Sequence, residues 1–212
     1  MYLFARSARL GPGDLREQLG WAVAMTEKVN QISELPVTLW STMFSPALGT
    51  LAWTLVADDL AQFEAVDGKL MVDEGYHSLV VDGAKFASGE PINDSVLQLV
   101  LADEDAATID PQYASVVQAV LAPGASVRGI EVGVEIAQQA KQATGIATSF
   151  GAAITGVYGG VEWISVYETL DQLQQANEAL AADIAFGRYL DDVASSLYIA
   201  GATIQTVYRK IA

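Results

Sequence analysis

The residues able to do chemistry in this chain are few. His77 is its only histidine, and cysteine is absent. Thiol nucleophiles, disulfide scaffolds and cysteine-held zinc or iron–sulfur sites are therefore excluded. Carboxylates are plentiful, with Glu64, Asp67, Asp73 and Glu74 crowding one helical stretch and Asp191 beside Asp192. Without histidine or cysteine support they read as solvated helix faces rather than a metal cage. GAAITGVYGG has neither a G-x-G-x-x-G spacing nor a following Lys-Ser/Thr, so it offers no phosphate cradle. No G-x-S-x-G elbow accompanies the serines. What remains is aromatic: Trp40, Trp53 and Trp163, with Phe44 and Tyr158, all set in apolar runs. Such rings line an apolar pocket that holds a phenolic ligand, or they are simply core.

The elements that carry those rings raise a question of class. Residues 37 to 57, VTLWSTMFSPALGTLAWTLVA, contain no charge over 21 positions, the length of a membrane span. The stretch has an echo, however. At an offset of 110, residues 37–86 repeat with ten identities, among them Gly49/Gly159, Trp53/Trp163, Leu60/Leu170 and Gln62/Gln172. Chance gives about three at ordinary residue frequencies. Trp40 falls opposite Phe150 in that frame, and upstream the frame slips by one, so that Pro12-Gly13 meets Pro123-Gly124. The second version, residues 147–167, carries Glu162 and four glycines, which a membrane helix tolerates poorly. Pro46 and Gly49 split the first version into two pieces of strand length and strand composition. A hairpin explains both copies; a span explains neither.

The bulk composition narrows the partners. Twenty-six acidic residues against 11 basic ones give a formal charge of −15. Such a surface repels phosphate backbones and anionic membrane surfaces, so neither nucleic acid nor membrane is an expected partner. Hydrophobic residues make up 51% of the chain, enough for a real core. The opening MYLFARSARLGPGDL lacks the pattern of a signal peptide, which, with the missing cysteines, leads to a cytoplasmic expectation.

Each copy reads as one series of elements. In the first, YLFARSARL alternates as a strand, with Tyr2 and Phe4 toward the core. Asp14, with Glu17 three residues on, opens a helix whose apolar face is Leu15, Leu19, Ala22, Met25, Val29 and Ile32. The hairpin of 37–57 follows, then a helix from Asp58-Asp59 through Leu70 that Gly75 interrupts, a further short helix over SLVVDGAKFAS, and a closing strand, SVLQLVLA. The second copy repeats the order, with Ser126 as cap and strands at 114–122 and 203–211. The fold class is thus α+β: two tandem ferredoxin-like β-α-β-β-α-β repeats. Repeat 1 spans 1–102, an acidic linker 103–112 and repeat 2 113–212. An antiparallel four-stranded sheet carries helices on one face only, and these strands are apolar on both. The bare faces are therefore expected to pack together in an eight-stranded barrel-like core.

This order, with the motif W-x(6)-L-x-Q at Trp53–Leu60–Gln62 and at Trp163–Leu170–Gln172, resembles the dimeric α/β-barrel superfamily in its tandem-fused form. That superfamily includes NIPSNAP-like proteins, antibiotic-biosynthesis monooxygenases, haem-degrading monooxygenases and chlorite-dismutase relatives. The resemblance implies a cytoplasmic protein that binds a small apolar ligand through Trp40, Trp53, His77 and Trp163, with catalytic residues and enzymatic status left open. Its alternative is a cofactor-independent monooxygenase acting on an aromatic or polyketide substrate. Haem held by His77 is a further alternative to having no cofactor, although the counterpart of His77 is Gly187 and YLFARSARL lacks the asparagine of the haem-degrading branch. A scaffold whose outer surfaces build homo-oligomers is the last.

Overall fold

The computed structural model describes residues 1–45 and 47–212; Pro46, expected at the bend of the first hairpin, lies outside them. Two compact units emerge, Met1–Val96 with Arg209–Ala212, and Leu97–Tyr208. The first contains β1 (Tyr2–Arg9), α1 (Leu15–Ile32), β2 (Thr38–Met43), β3 (Thr50–Ala57), α2 (Leu60–Leu70), α3 (Glu74–Gly83), a 3-10 turn at Ala84–Phe86 and the start of β4 (Asn93–Leu101). The second contains β5 (Tyr113–Val120), α4 (Ser126–Thr144), β6 (Thr148–Ala153), β7 (Gly160–Tyr167), α5 (Leu170–Ala182), α6 (Ile184–Leu197) and most of β8 (Ile204–Lys210). The strands follow one another in the order β1-β3-β2-β8-β5-β7-β6-β4 as a closed antiparallel barrel, as the apolar strands led us to expect.

The uncharged stretch 37–57 is indeed a hairpin. β2 pairs with β3 from Thr38↔Thr54 to Ser41↔Leu51, and the Thr42 hydroxyl donates to the Ala47 carbonyl across the bend at 2.9 Å. Among the described residues no helix is long and apolar enough to cross a membrane. β3 also pairs with β1 along its whole length, from Tyr2↔Ala57 to Arg9↔Thr50. The chain end joins the same sheet: the Leu39 amide donates to the Ala212 carbonyl at 2.7 Å, and the Leu39 carbonyl accepts from the Ile211 amide at 2.8 Å. In the second unit, β7 lies between β5 and β6, and Leu97–Leu101 of β4 lies against β6.

Several boundaries differ from the sequence expectation for local reasons. Asp14 caps α1 by accepting from the Arg16 amide, but Glu17 makes no capping box; its carboxylate instead takes Lys85 at 2.6 Å. The break after α2 precedes Gly75. Asp73 caps α3 by accepting from the Tyr76 amide at 2.7 Å, so the chain turns over Met71–Asp73 and Gly75 lies inside the new helix. Ser126 is the first residue of α4 rather than its cap, and a sixth helix, α6, follows α5 at Asp183. Strand registers also move the internal alignment. Leu39 faces Trp53 as Phe150 faces Trp163, so the counterpart of Phe150 is Leu39, not Trp40. The one-residue slip therefore falls in the hairpin bends, and everything before them runs at an offset of 111.

Candidate functional site: an apolar cavity in the first unit

β1 positions the site by simple alternation. Phe4, Arg6, Ala8 and Leu10 share the face turned toward the helices, and all four line one cavity of about 660 Å³. That volume lies in the range of small-molecule sites, about 300–1,000 Å³. β3 contributes Trp53 and Leu55; α1 contributes Trp21, Met25 and Val29; α2 adds Phe63 and Val66. Tyr76 and Val80 of α3, then Gly83, Ala84 and Phe86, complete the wall. The rings form two groups on the wall. Trp21 meets Trp53 edge-on at 6.0 Å and Phe86 at 5.7 Å, and Phe4 meets Phe63 at 5.9 Å.

Trp21 is also the tie between α1 and α3. Its indole N–H donates to the Leu79 carbonyl at 2.8 Å, and its ring lies so close to Gly83 that a Cβ there would collide with it. Lys28 and Asp73 make a second link between the helices at 2.9 Å. Trp53 is fixed by a buried chain of bonds, its indole N–H donating to Thr26 and the Thr26 hydroxyl to the Ala22 carbonyl.

One edge of the cavity is polar. The Arg6 guanidinium is held by both carboxylate oxygens of Asp94, at 2.8 and 2.7 Å. Arg9 reaches Glu90 at 2.9 Å, and Asp67, Thr54 and Tyr76 lie on the same lining. The Asp94 hydrogen bonds raise the Arg6 pKa above its already high usual value against the opposing effect of burial, and Tyr76 adds a smaller push in the same direction. Arg6 is thus a permanent cation on a largely apolar wall. Its side chain is 42% exposed, so this edge also meets solvent.

The predicted ligand residues separate in the structure. Trp53 lines the cavity. Trp40 is buried opposite Ala52 of β3 but off the lining, with its indole N–H on the Thr54 hydroxyl at 2.9 Å. Trp163 belongs to the core of the second unit, beneath α4. His77 stands exposed on α3, its Nε2 2.9 Å from the Met71 carbonyl. The imidazole of His77 lies off the cavity lining. Among the described residues there is no group of three or more histidine, cysteine or acidic side chains that could hold a metal ion.

The second unit shows what the first leaves open. There Phe150 stacks at 5.2 Å on Trp163, and Tyr198 meets the same indole at 5.5 Å while donating to the Gly129 carbonyl. These rings fill the space under α4. In the first unit, Leu39 stands where Phe150 would be, and Arg6 stands where the second has Val117. Sequence reasoning passed over Arg6, Asp94, Tyr76 and Trp21. The available signal was Arg6 itself, a cation in register with Phe4 and Ala8 on a core-facing strand face.

No protein-family model and no curated protein sequence matches the chain. Its architecture does match solved structures. Two are putative monooxygenases, one from Fusobacterium nucleatum subsp. nucleatum ATCC 25586 and one from Lactobacillus acidophilus NCFM. The first has a TM-score of 0.72 at 12% identity, over 100% of this chain and 92% of that one. The second has 0.63 at 10%, over 99% and 93%. A third, an anthrone oxidase-like protein, has 0.62 at 14%, over 100% and 92%. At these identities the likeness concerns the fold alone, an α+β architecture around a closed eight-stranded barrel.

Proposed function

We propose that the first unit binds one small aromatic molecule of polyketide type, flat, apolar and carrying a hydroxyl or keto group. The observation that carries this reading is the 660 Å³ cavity, walled by Trp21, Trp53, Phe4, Phe63 and Phe86 and polar at one edge only. Burial of fused rings against such a wall is favourable at roughly 25 cal/mol per Å² of apolar surface, and the polar edge supplies orientation. The names of the similar structures, two candidate monooxygenases and an anthrone oxidase-like protein, agree with a ligand of this kind. The test is titration of the protein with 9-anthracenemethanol, followed through quenching of Trp21 and Trp53. Saturable binding at one site per chain that disappears in Ala8→Phe, which fills the cavity, is the expected result. Binding unchanged in Ala8→Phe, or no binding at all, would sink the reading.

A second reading, oxidation without a cofactor, is favoured by Arg6 and Tyr76 at the cavity edge. An N–H donor there stabilises the oxyanion left when an activated ring CH₂ loses its proton. Dioxygen then bonds to that carbon, and the peroxide loses water: one oxygen atom becomes a ring ketone and the other leaves in the water. Anthrone would thus give anthraquinone with one dioxygen consumed per molecule. Oxygen uptake above the spontaneous rate, abolished in Arg6→Gln, supports this reading; uptake equal to buffer alone rejects it.

A further inference from the structure

We infer that Asp94, assisted by Glu90, makes the cavity of the first unit selective for uncharged ligands and against carboxylates. This rests on the binding reading above and extends it to the ligand's charge.

An arginine on the wall of an apolar cavity would by itself attract an anion. A carboxylate entering such a site loses its hydration and must find a cation in return. Arg6 is not available for that pairing. Asp94 occupies its Nε and Nη2 with two short bonds in the fork geometry that suits a guanidinium. Glu90 holds Arg9 through a single bond, from Nη1 at 2.9 Å. Among the described residues on the lining these are the two cations, and three carboxylates, Asp67, Glu90 and Asp94, stand with them. The lining thus carries a formal excess of one negative charge, on a chain whose own charge is −15. Beyond contact distance of Arg6, an anionic ligand meets a net negative site on a negative chain. A neutral keto or hydroxyl group meets a different surface: the Nη1 N–H groups of Arg6 lie outside the Asp94 pair and donate to an uncharged oxygen at no cost to that pair.

The two arginines and the two acids are far apart in sequence, 88 positions for Arg6 and Asp94 and 81 for Arg9 and Glu90. Asp94 on β4 and Glu90 in the loop before it come from beyond α3, so the charge of the site is set by a different segment from the one that carries the cations.

The experiment compares two probes with one ring system, 9-anthracenemethanol and anthracene-9-carboxylate, against the intact chain at neutral pH. Wild type is expected to bind the alcohol at least tenfold more tightly. Asp94→Asn frees Arg6, and the carboxylate should gain about tenfold relative to the alcohol. Glu90→Gln should shift the ratio the same way by a smaller factor, and serves as the deciding variant if Asp94→Asn loses its fold by circular dichroism. Equal binding of the two probes by wild type, or an unchanged ratio in a folded variant, would overturn the inference and leave the binding site standing. Failure of both probes to bind wild type would overturn the binding reading and this inference with it.

Discussion

Phe150 of β6 points the far end of its ring at Gly133 of α4, so close that the glycine has no room for a methyl group. Phe150 is fully buried there, and its ring cannot swing aside. Gly133→Ala should therefore destabilise by about 1–3 kcal/mol through overpacking, despite alanine's better helix propensity. Gly20→Ala on the open face of α1, where nothing lies within 4 Å, should instead stabilise by about 0.5–1 kcal/mol. Urea unfolding of the two variants checks the contrast, and equal effects would refute it.

Phe150 fills the core of the second unit, packed against Trp163. Phe150→Ala should cost about 3–5 kcal/mol and leave a cavity against Trp163. Such a cavity is apolar, and it should bind benzene in the second unit, readable as a benzene-dependent rise in melting temperature that wild type lacks.

Trp53 and Trp163 are sequence counterparts with different anchors. Trp163 donates to the Gly133 carbonyl, whereas Trp53 donates to the Thr26 hydroxyl, and Ala137 replaces Thr26 in the second unit. Thr26→Val keeps the volume but orphans a buried indole N–H, at a cost of about 1–3 kcal/mol. Affinity for 9-anthracenemethanol should fall with it, because Trp53 lines the cavity. Unfolding and titration of the one variant measure both effects.

Much of the fold was legible in the chain because it was written twice. The uncharged stretch at 37–57 became a hairpin once its echo was seen to carry Glu162 and extra glycines, and the registers bear that out. The break between α2 and α3 was misplaced because glycine is a weaker signal than a capping aspartate, and Asp73 is the residue that ends one helix and begins the next. The cavity was not legible at all. Its wall includes the small residues Ala8, Gly83 and Ala84, and an absence of bulk has no motif. The Arg6–Asp94 pair was equally hidden, since only the folded sheet brings β1 and the start of β4 together.

Acid should weaken the second unit through Asp103, whose side chain is 6% exposed. Burial opposes its charge, but Lys141 at 2.8 Å and the amides of Asp105 and Thr148 outweigh that effect and hold its carboxyl below the usual range. A folded-state pKa below the unfolded value stabilises the protein at pH above about 3.9, and the gain is lost as pH falls through the folded value. Asp103→Asn should lower stability at neutral pH and flatten the acid limb of a melting-temperature profile. Parallel profiles for variant and wild type would contradict the assignment.

The claim on which the rest depends is that the first unit holds one uncharged aromatic molecule against Trp21 and Trp53. The most direct measurement is a crystal structure with 9-bromoanthracene, with the bromine located by its anomalous signal. The account predicts a single bromine site per chain, in the cavity between β1, β3 and helices α1 and α3, with the rings in contact with Trp21, Trp53 and Phe86. A bromine beside Trp163 in the second unit, or a saturated crystal with the first cavity empty, would contradict it.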